Sequence, residues 1–106
     1  MEGLVQEILE FLEGKQAEDV ASYDASAGSL ADYYVIASGL NKRHLKSLAK
    51  DVEGFVESKG YPIFIRQGEA DSGWIILDFM DLVIHLFDEE TREFYHVERL
   101  WEAMGK

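Results

Sequence analysis

The chain has 106 residues, room for one domain and too few for two of ordinary size. It is 47% hydrophobic and 29% charged, the balance of a soluble globular fold, and it has no cysteine, which excludes disulfides and thiolate chemistry and fits a reducing compartment. Its net charge of −11 makes most of its surface repel nucleic acid and anionic membranes, because both are held mainly through Lys and Arg.

That charge is uneven. Residues 1–40 carry eight acids and one base (−7), residues 41–68 six bases and three acids (+3), and residues 69–106 ten acids and three bases (−7). The natural partner is a basic protein. The N-terminus MEGLVQEILEFLEGK mixes acids into its apolar residues, unlike a signal peptide. No apolar run reaches the roughly 18 residues of a membrane helix. The expected location is cytoplasmic.

In chain order, Leu4, Val5, Ile8 and Leu12 follow helical spacing, with Leu9 and Phe11 widening the stripe, and predict a helix ending near Gly14. AEDVASYDAS predicts a short strand over 19–24. A second strand, 33–38, has Val35 and Ile36 adjacent and apolar, so it is buried on both faces. Asn41 is a good N-cap, and Leu45, Leu48, Ala49, Val52, Phe55 and Val56 form one face of a helix over 41–59, with Gly60 as its C′ residue. YPIFIRQG predicts a third strand over 62–67, followed by strands over 74–79 and 82–87. DEETREFYHVERLWEAM is helical in at least its last two turns. The expected fold is α/β: a single domain over 1–106 with one mixed five-stranded sheet flanked by helices, in the order α-β-β-α-β-β-β-α.

SGWIILDFMDLVIHLF, residues 72–87, raises the main chemical question, because it sets Asp78, Asp81 and His85 in an apolar run. With Met80 and Asp81 as central turn residues, Asp78 pairs with Val83, Ile76 with His85 and Trp74 with Phe87. Ile75, Leu77, Phe79, Leu82, Ile84 and Leu86 then share a wholly apolar face, which is core. The other face carries Trp74, Ile76, Asp78, Val83, His85 and Phe87. Met80 suits a tight turn poorly, because such turns need positive φ, and this leaves a one-residue slip open.

Asp78 and His85 come within hydrogen-bond reach on that second face. A metal would need further ligands; His96 is the only other histidine nearby, and there is no H-x₃-H spacing. A nucleophile elbow is missing its first glycine in IASGL. A general acid/base pair stays open, beside the plainer reading of His85 as a satisfied, partly buried histidine and Asp81 as a turn residue. VIASGLNKRH sets Ser38 and Gly39 before a helix N-terminus, with Lys42 next. This is either an anion cradle or a tight capped turn, and the turn is favoured. Lys42, Lys46 and Lys50 form a basic stripe on that helix. Trp101 shares a helical face with Val97 and Leu100, which predicts core.

ADYYVIASG, the capped basic helix, GWIILDFMDLVIHLF and REFYHVERLW together resemble the ribosomal silencing factor family, also called Iojap or RsfS, over roughly residues 3–104. The resemblance implies a protein that binds the large ribosomal subunit at its fourteenth protein (uL14), blocks joining of the small subunit and represses translation when nutrients are scarce. Organellar relatives act in large-subunit assembly. It also implies a nucleotidyltransferase-like fold, without the catalysis: the Gly-Ser turn of those enzymes is reversed here to Ser38-Gly39, and no D-x-D follows. A small nucleotide-binding enzyme using Ser38, Gly39, Asp78 and Asp81 is the competing reading. Two positions depart from the family's habit. Gln67 stands where an acid usually precedes Gly68, and Met80 where the hairpin often has glycine.

The expected partner-binding residues are Trp74, Ile76 and Asp78 with Glu93, Tyr95 and Glu98. Capping of Trp74 by the final helix is the alternative for that residue. Ser38, Gly39, Lys42 and Lys46 are the candidates for an anion or peripheral rRNA contact. No cofactor or metal is expected, no membrane, and a homodimer when free is left open.

Overall fold

The computed structural model describes residues 2–25, 31–99 and 102. Helix α1 (Glu2–Gly14) leads into strand β1 (Glu18–Asp24) and strand β2 (Tyr33–Gly39). Helix α2 (Lys42–Ser58) is followed by strand β3 (Ile65–Glu69), a 3-10 turn (Ala70–Ser72), strands β4 (Trp74–Asp78) and β5 (Leu82–Asp88), and helix α3 (Glu89–Tyr95). The sheet order is β1-β2-β5-β4-β3. Only β2 and β5 run parallel; the other neighbours are antiparallel.

Both long helices lie on one side of the sheet. Leu4, Val5, Ile8 and Leu12 of α1 and Leu45, Leu48, Val52 and Val56 of α2 meet Val35, Ala37, Ile75, Leu77, Phe79, Leu82, Ile84 and Leu86 in one buried cluster. Each such side chain contributes about 1.5–3 kcal/mol by leaving water. The helix stripes are three to four residues apart and the strand positions two apart, so the sequence alone can drive this face together. Strand β2 is buried on both faces from Val35 to Gly39, as its adjacent apolar pair predicts.

The caps follow the sequence closely. Asn41 Oδ1 accepts from His44 N (2.8 Å), and Leu40 N donates to His44 Nδ1 (2.9 Å), which leaves Nε2–H for the carbonyl of Lys15 (2.8 Å). Gly60 sits beyond the end of α2 in the left-handed region (φ 96°), where a side chain is strained.

Strand β3 differs from expectation. It spans Ile65–Glu69 rather than 62–67. Pro62 has no N–H for a ladder, and Tyr61 N is drawn back to the carbonyl of Val56, so pairing starts only where Phe64 N reaches the carbonyl of Asp78 (2.8 Å). The 3-10 turn after β3 was not predicted. Gly68 has φ 81°, and a Cβ there would run into the Trp74 carbonyl, so the strand passes close to β4, with its register unbroken, at a position only glycine fills. The tail is helical earlier than expected, at Glu89–Tyr95, with Asp88 as its N-cap. Residues 98, 99 and 102 are again helical. Leu100 and Trp101, and most of the two last turns, lie outside the described residues.

The hairpin register is the predicted one: Trp74 pairs with Phe87, Ile76 with His85 and Asp78 with Val83. Phe79 N donates to the carbonyl of Leu82 (2.8 Å). Met80 accepts the strain it implies. Its φ is 79°, and Asp81 N bonds back to the carbonyl of Phe79 (3.1 Å), a γ-turn of the less favourable hand. Asp78 Oδ1 helps by accepting from Met80 N (2.8 Å).

Candidate docking face

Among the described residues the second face of the sheet has no long helix over it. The register places Tyr23 beside Tyr34, Ala21 beside Ile36, and then Val83, His85 and Phe87, Trp74, Ile76 and Asp78, and Ile65 and Gln67 across the same surface. Its buried centre is small: Ile36 and Phe87, with Ala21, Tyr23, Tyr34, Trp74 and Val97 packed around them.

Trp74 organises this centre. Its ring stacks on Phe87 (centroids 4.8 Å apart) and meets Tyr95 of α3 (4.9 Å). Trp74 Nε1 donates to His85 Nδ1 (3.1 Å). An indole N–H only donates, so this bond requires Nδ1 to be unprotonated. Burial pushes the His85 pKa down to about 4. His85 is thus the satisfied, neutral histidine of the plainer reading. The expected Asp78–His85 hydrogen bond is corrected: the tryptophan takes Nδ1, and the Asp78 carboxylate turns to its own hairpin.

The final segment folds over part of this face. Tyr95 and Val97 pack beside Trp74, and the hydroxyl of Tyr23, at the far side of the sheet, donates to Glu102 Oε1 (3.4 Å). Arg92 anchors the segment. Its Nη1 donates to the carbonyl of Asp19 (2.7 Å) and to Ser38 Oγ (2.9 Å), and its Nε to Glu98 Oε1 (3.4 Å). His96, with φ 49°, makes the bend that lets Glu98 return to Arg92. The result is a face buried at its centre, at Ile36, His85 and Phe87, and half-open over β4, with β3 exposed beyond it. Trp74, Ile76, Asp78 and Val83 remain half-buried there, with Phe94 (77% exposed) and Tyr95 (52%) standing at its rim.

The expected partner residues therefore separate. Trp74, Ile76, Asp78 and Tyr95 share the open part of the face, and Glu93 is exposed one residue from Phe94. Glu98 is half-buried and tied to Arg92, with its Oε2 lacking a hydrogen-bond partner among the described residues. Trp74 is partly capped by the final segment, as the alternative held, and partly exposed.

The anion candidates separate too. Ser38 is buried and bonded to Arg92, and a Cβ on Gly39 would press against the backbone of Leu45 at 3.1 Å, which is the close approach that calls for glycine. Lys42 Nζ donates to the carbonyl of Asp71 (2.8 Å) and pairs with Asp88 Oδ2 (3.6 Å). Burial alone would raise the Asp88 pKa, but the Thr91 hydrogen bonds and Lys42 outweigh it and hold the carboxyl below its usual range. These contacts belong to a capped turn rather than a cradle. Lys46 alone of the four stands exposed with no ion pair among the described residues. Asp78 and Asp81 sit at the other end of the sheet from Ser38 and Gly39, since Asp78 lines up through Val83 with Tyr34, four residues from Ser38. At 3.3 Å per residue that is roughly 13 Å, too far for one nucleotide–metal centre. Among the described residues no three His, Asp or Glu side chains could hold a metal ion.

Sequence reasoning missed Arg92 and Phe94 as site residues. Both lie in REFYHVERLW, but two of the three partners of Arg92 are 73 and 54 residues away and leave no local signal.

The described residues form an acidic α/β domain with one sheet face closed by helices and the other half-open over aromatic side chains. The model of the family "Ribosomal silencing factor during starvation" matches residues 1–106. The chain belongs to this RsfS family of non-catalytic ribosome-binding factors. It is similar to a ribosomal silencing factor of Zymomonas mobilis, 34% identical over 94% of this chain and 76% of that one. A mouse protein named for mitochondrial assembly of the ribosomal large subunit is 36% identical over 66% of this chain and 32% of its own length. A solved Chromobacterium violaceum protein superposes with a TM-score of 0.84 at 29% identity, over 92% of this chain and 86% of that one.

Proposed function

We propose that this chain docks on the large ribosomal subunit through its fourteenth protein, uL14, and so blocks joining of the small subunit and represses translation when nutrients are scarce. The observation that supports it best is the half-open sheet face, where Trp74, Ile76, Asp78 and Tyr95 combine aromatic area with a carboxylate beside the strongly acidic last third of the chain. Aromatic side chains dominate the strongest contacts of protein interfaces, and acids draw a basic protein in. Blocking needs no chemistry, because a domain at the subunit interface excludes the other subunit by its bulk.

In this reading the chain is cytoplasmic. No helix among the described residues is long and apolar enough to cross a membrane. A second reading, in which the same docking serves large-subunit assembly, is favoured by the name of the mouse relative. The anion contact is reduced to Lys46, which would touch rRNA only at the periphery.

Sedimentation of the purified protein with separated subunits tests the proposal. It should travel with large subunits, not small ones, and reduce formation of joined ribosomes when added before mixing. Equal binding to both subunits, or none to either, overturns it. Depletion in growing cells separates the readings: accumulation of immature large subunits would favour assembly.

A further inference from the structure

The two edges of the sheet are unlike. Strand β1 is blunted by Glu18, Asp19 and Asp24 and by an irregular register between Glu18 and Ala21, with Asp19 at φ 49°. Charges and bulges of this kind keep an edge from pairing. Strand β3 is not protected in this way. All five of its residues are exposed, and Phe64 (60%) and Ile65 (41%) present apolar side chains at its start. Arg66, the one base on it, is pulled off the edge by Glu53 of α2, which takes Nε at 2.7 Å.

Beside this edge, between β3 and α2, lies a groove of about 580 Å³. Ala49, Ala70 and Ile75 line it, with Lys46 and Lys50 above. Neither lysine makes an ion pair among the described residues, whereas Arg66 and Glu53 neutralise each other. Glu69 is used locally, its side chain accepting from the backbone of Ser72. Asp71 also lines the groove and is its remaining acid.

We infer that the β3 edge and the α2 groove form a second docking site, which takes an extended peptide segment as an added strand. In such strand addition, backbone pairing supplies affinity and alternate side chains supply selectivity. The side chains of the added strand alternate between two surroundings. One set falls on the Ile65 side of the edge and is apolar. The other enters the groove under Lys46 and Lys50 and is acidic. The occupant is thus a protein segment that alternates apolar residues with Asp or Glu, a chemistry opposite to that expected at the open face.

Three blocked nine-residue peptides test this, alternating valine with glutamate, serine or lysine. They are titrated into the whole protein while backbone amides are followed by NMR, with hydrogen exchange. The glutamate peptide should bind at least about tenfold tighter than the lysine peptide and slow exchange at residues 64–67. The double variant Lys46→Glu/Lys50→Glu, both at exposed positions, should invert the order, and Asp71→Asn should tighten the glutamate peptide. The inference is overturned if no peptide slows exchange at 64–67, or if all three bind alike. It is also overturned if the chain self-associates through this edge, making the occupant a second copy. A nine-nucleotide RNA that shifts Lys46 and Lys50 while the glutamate peptide does not would overturn it as well.

Discussion

The two faces of the sheet are built from the same strands by opposite rules. Toward α1 and α2 the strands present Ile75 and Leu77 of β4 and Leu82, Ile84 and Leu86 of β5, all aliphatic and all buried. On the other face the same strands carry Trp74, Asp78, His85 and Phe87 beside Ile76 and Val83, and among the described residues one short helix and the segment after it lie across them. The first arrangement holds the fold together and leaves nothing for a partner to read. The second gives up burial, and keeps aromatic and charged groups within reach of another protein. A strand that must do both tasks shows its division of labour at alternate residues.

The sharpest way to break that comparison is to truncate neighbours on one strand. Ile84 is fully buried toward the helices and Val83 is half-buried on the open face. Ile84→Ala should cost about 2–5 kcal/mol, through lost transfer energy and the cavity it leaves, while Val83→Ala should cost under about 1 kcal/mol. Urea melts of both variants check this. Equal losses would mean that the open face is as much core as the closed one.

The next effect is a pH dependence set by His85. Its folded pKa, about 4, lies below the ordinary 6.5. The unfolded chain therefore takes up a proton as pH falls through 6.5, and the folded chain does not until about 4. Stability from this group is full above pH 6.5 and drains as pH falls toward 4. The shift corresponds to about 3 to 4 kcal/mol at most, since one pKa unit is worth about 1.4 kcal/mol. Protonation would also break the Trp74 hydrogen bond. His85→Gln should flatten the pH slope of unfolding between 6.5 and 4; an unchanged slope would show that His85 does not carry it.

These two residues also show what the sequence makes legible. Alternation through 74–87 is enough to mark the core face and to favour the observed hairpin register, because a slip of one residue would bury Asp78 and His85 against the helices, while Met80 in the turn is what leaves that slip open. Asn41 and Gly60 mark the ends of α2 by local chemistry. Strand β3 is misplaced by about three residues because YPIFI reads as apolar alternation, while Pro62 and the return of Tyr61 to α2 decide where pairing begins. At the site, Trp74 and Asp78 are legible as residues out of keeping with their apolar setting. The choice by His85 of the tryptophan over the aspartate is not, because both lie within reach on a flat pattern. Arg92 is illegible for a different reason: it joins β1, β2 and the final segment, which only the fold brings together.

Trp74→Ala tests the open face directly. Hot-spot truncations at interfaces cost about 2 kcal/mol or more, roughly thirtyfold in affinity. Binding to isolated large subunits should weaken by that order, with circular dichroism retained. Because Trp74 also supports His85, Phe87 and Tyr95, Ile76→Ser serves as a companion that leaves the indole in place. Should Ile76→Ser bind like wild type while Trp74→Ala unfolds, the face is structural and the docking surface lies elsewhere.

The smallest effect concerns the turn that joins the two strands. Met80 holds φ 79° without being glycine, and its side chain is 58% exposed, so packing does not compensate the strain. A left-handed residue with a Cβ costs about 1 kcal/mol. Met80→Gly should therefore raise stability by about 1 kcal/mol, a rise of roughly 5 °C in melting temperature for a domain of this size. Met80 sits in the turn two residues beyond Asp78, whose strand partner is Ile65, and is exposed there. If that turn touches the ribosomal partner, the more stable variant should bind less tightly. Thermal melts and subunit binding of the same protein then separate the two demands. Greater stability with unchanged binding would leave the retained methionine without a role in docking, and would shorten the face to the stretch between Trp74 and Asp78.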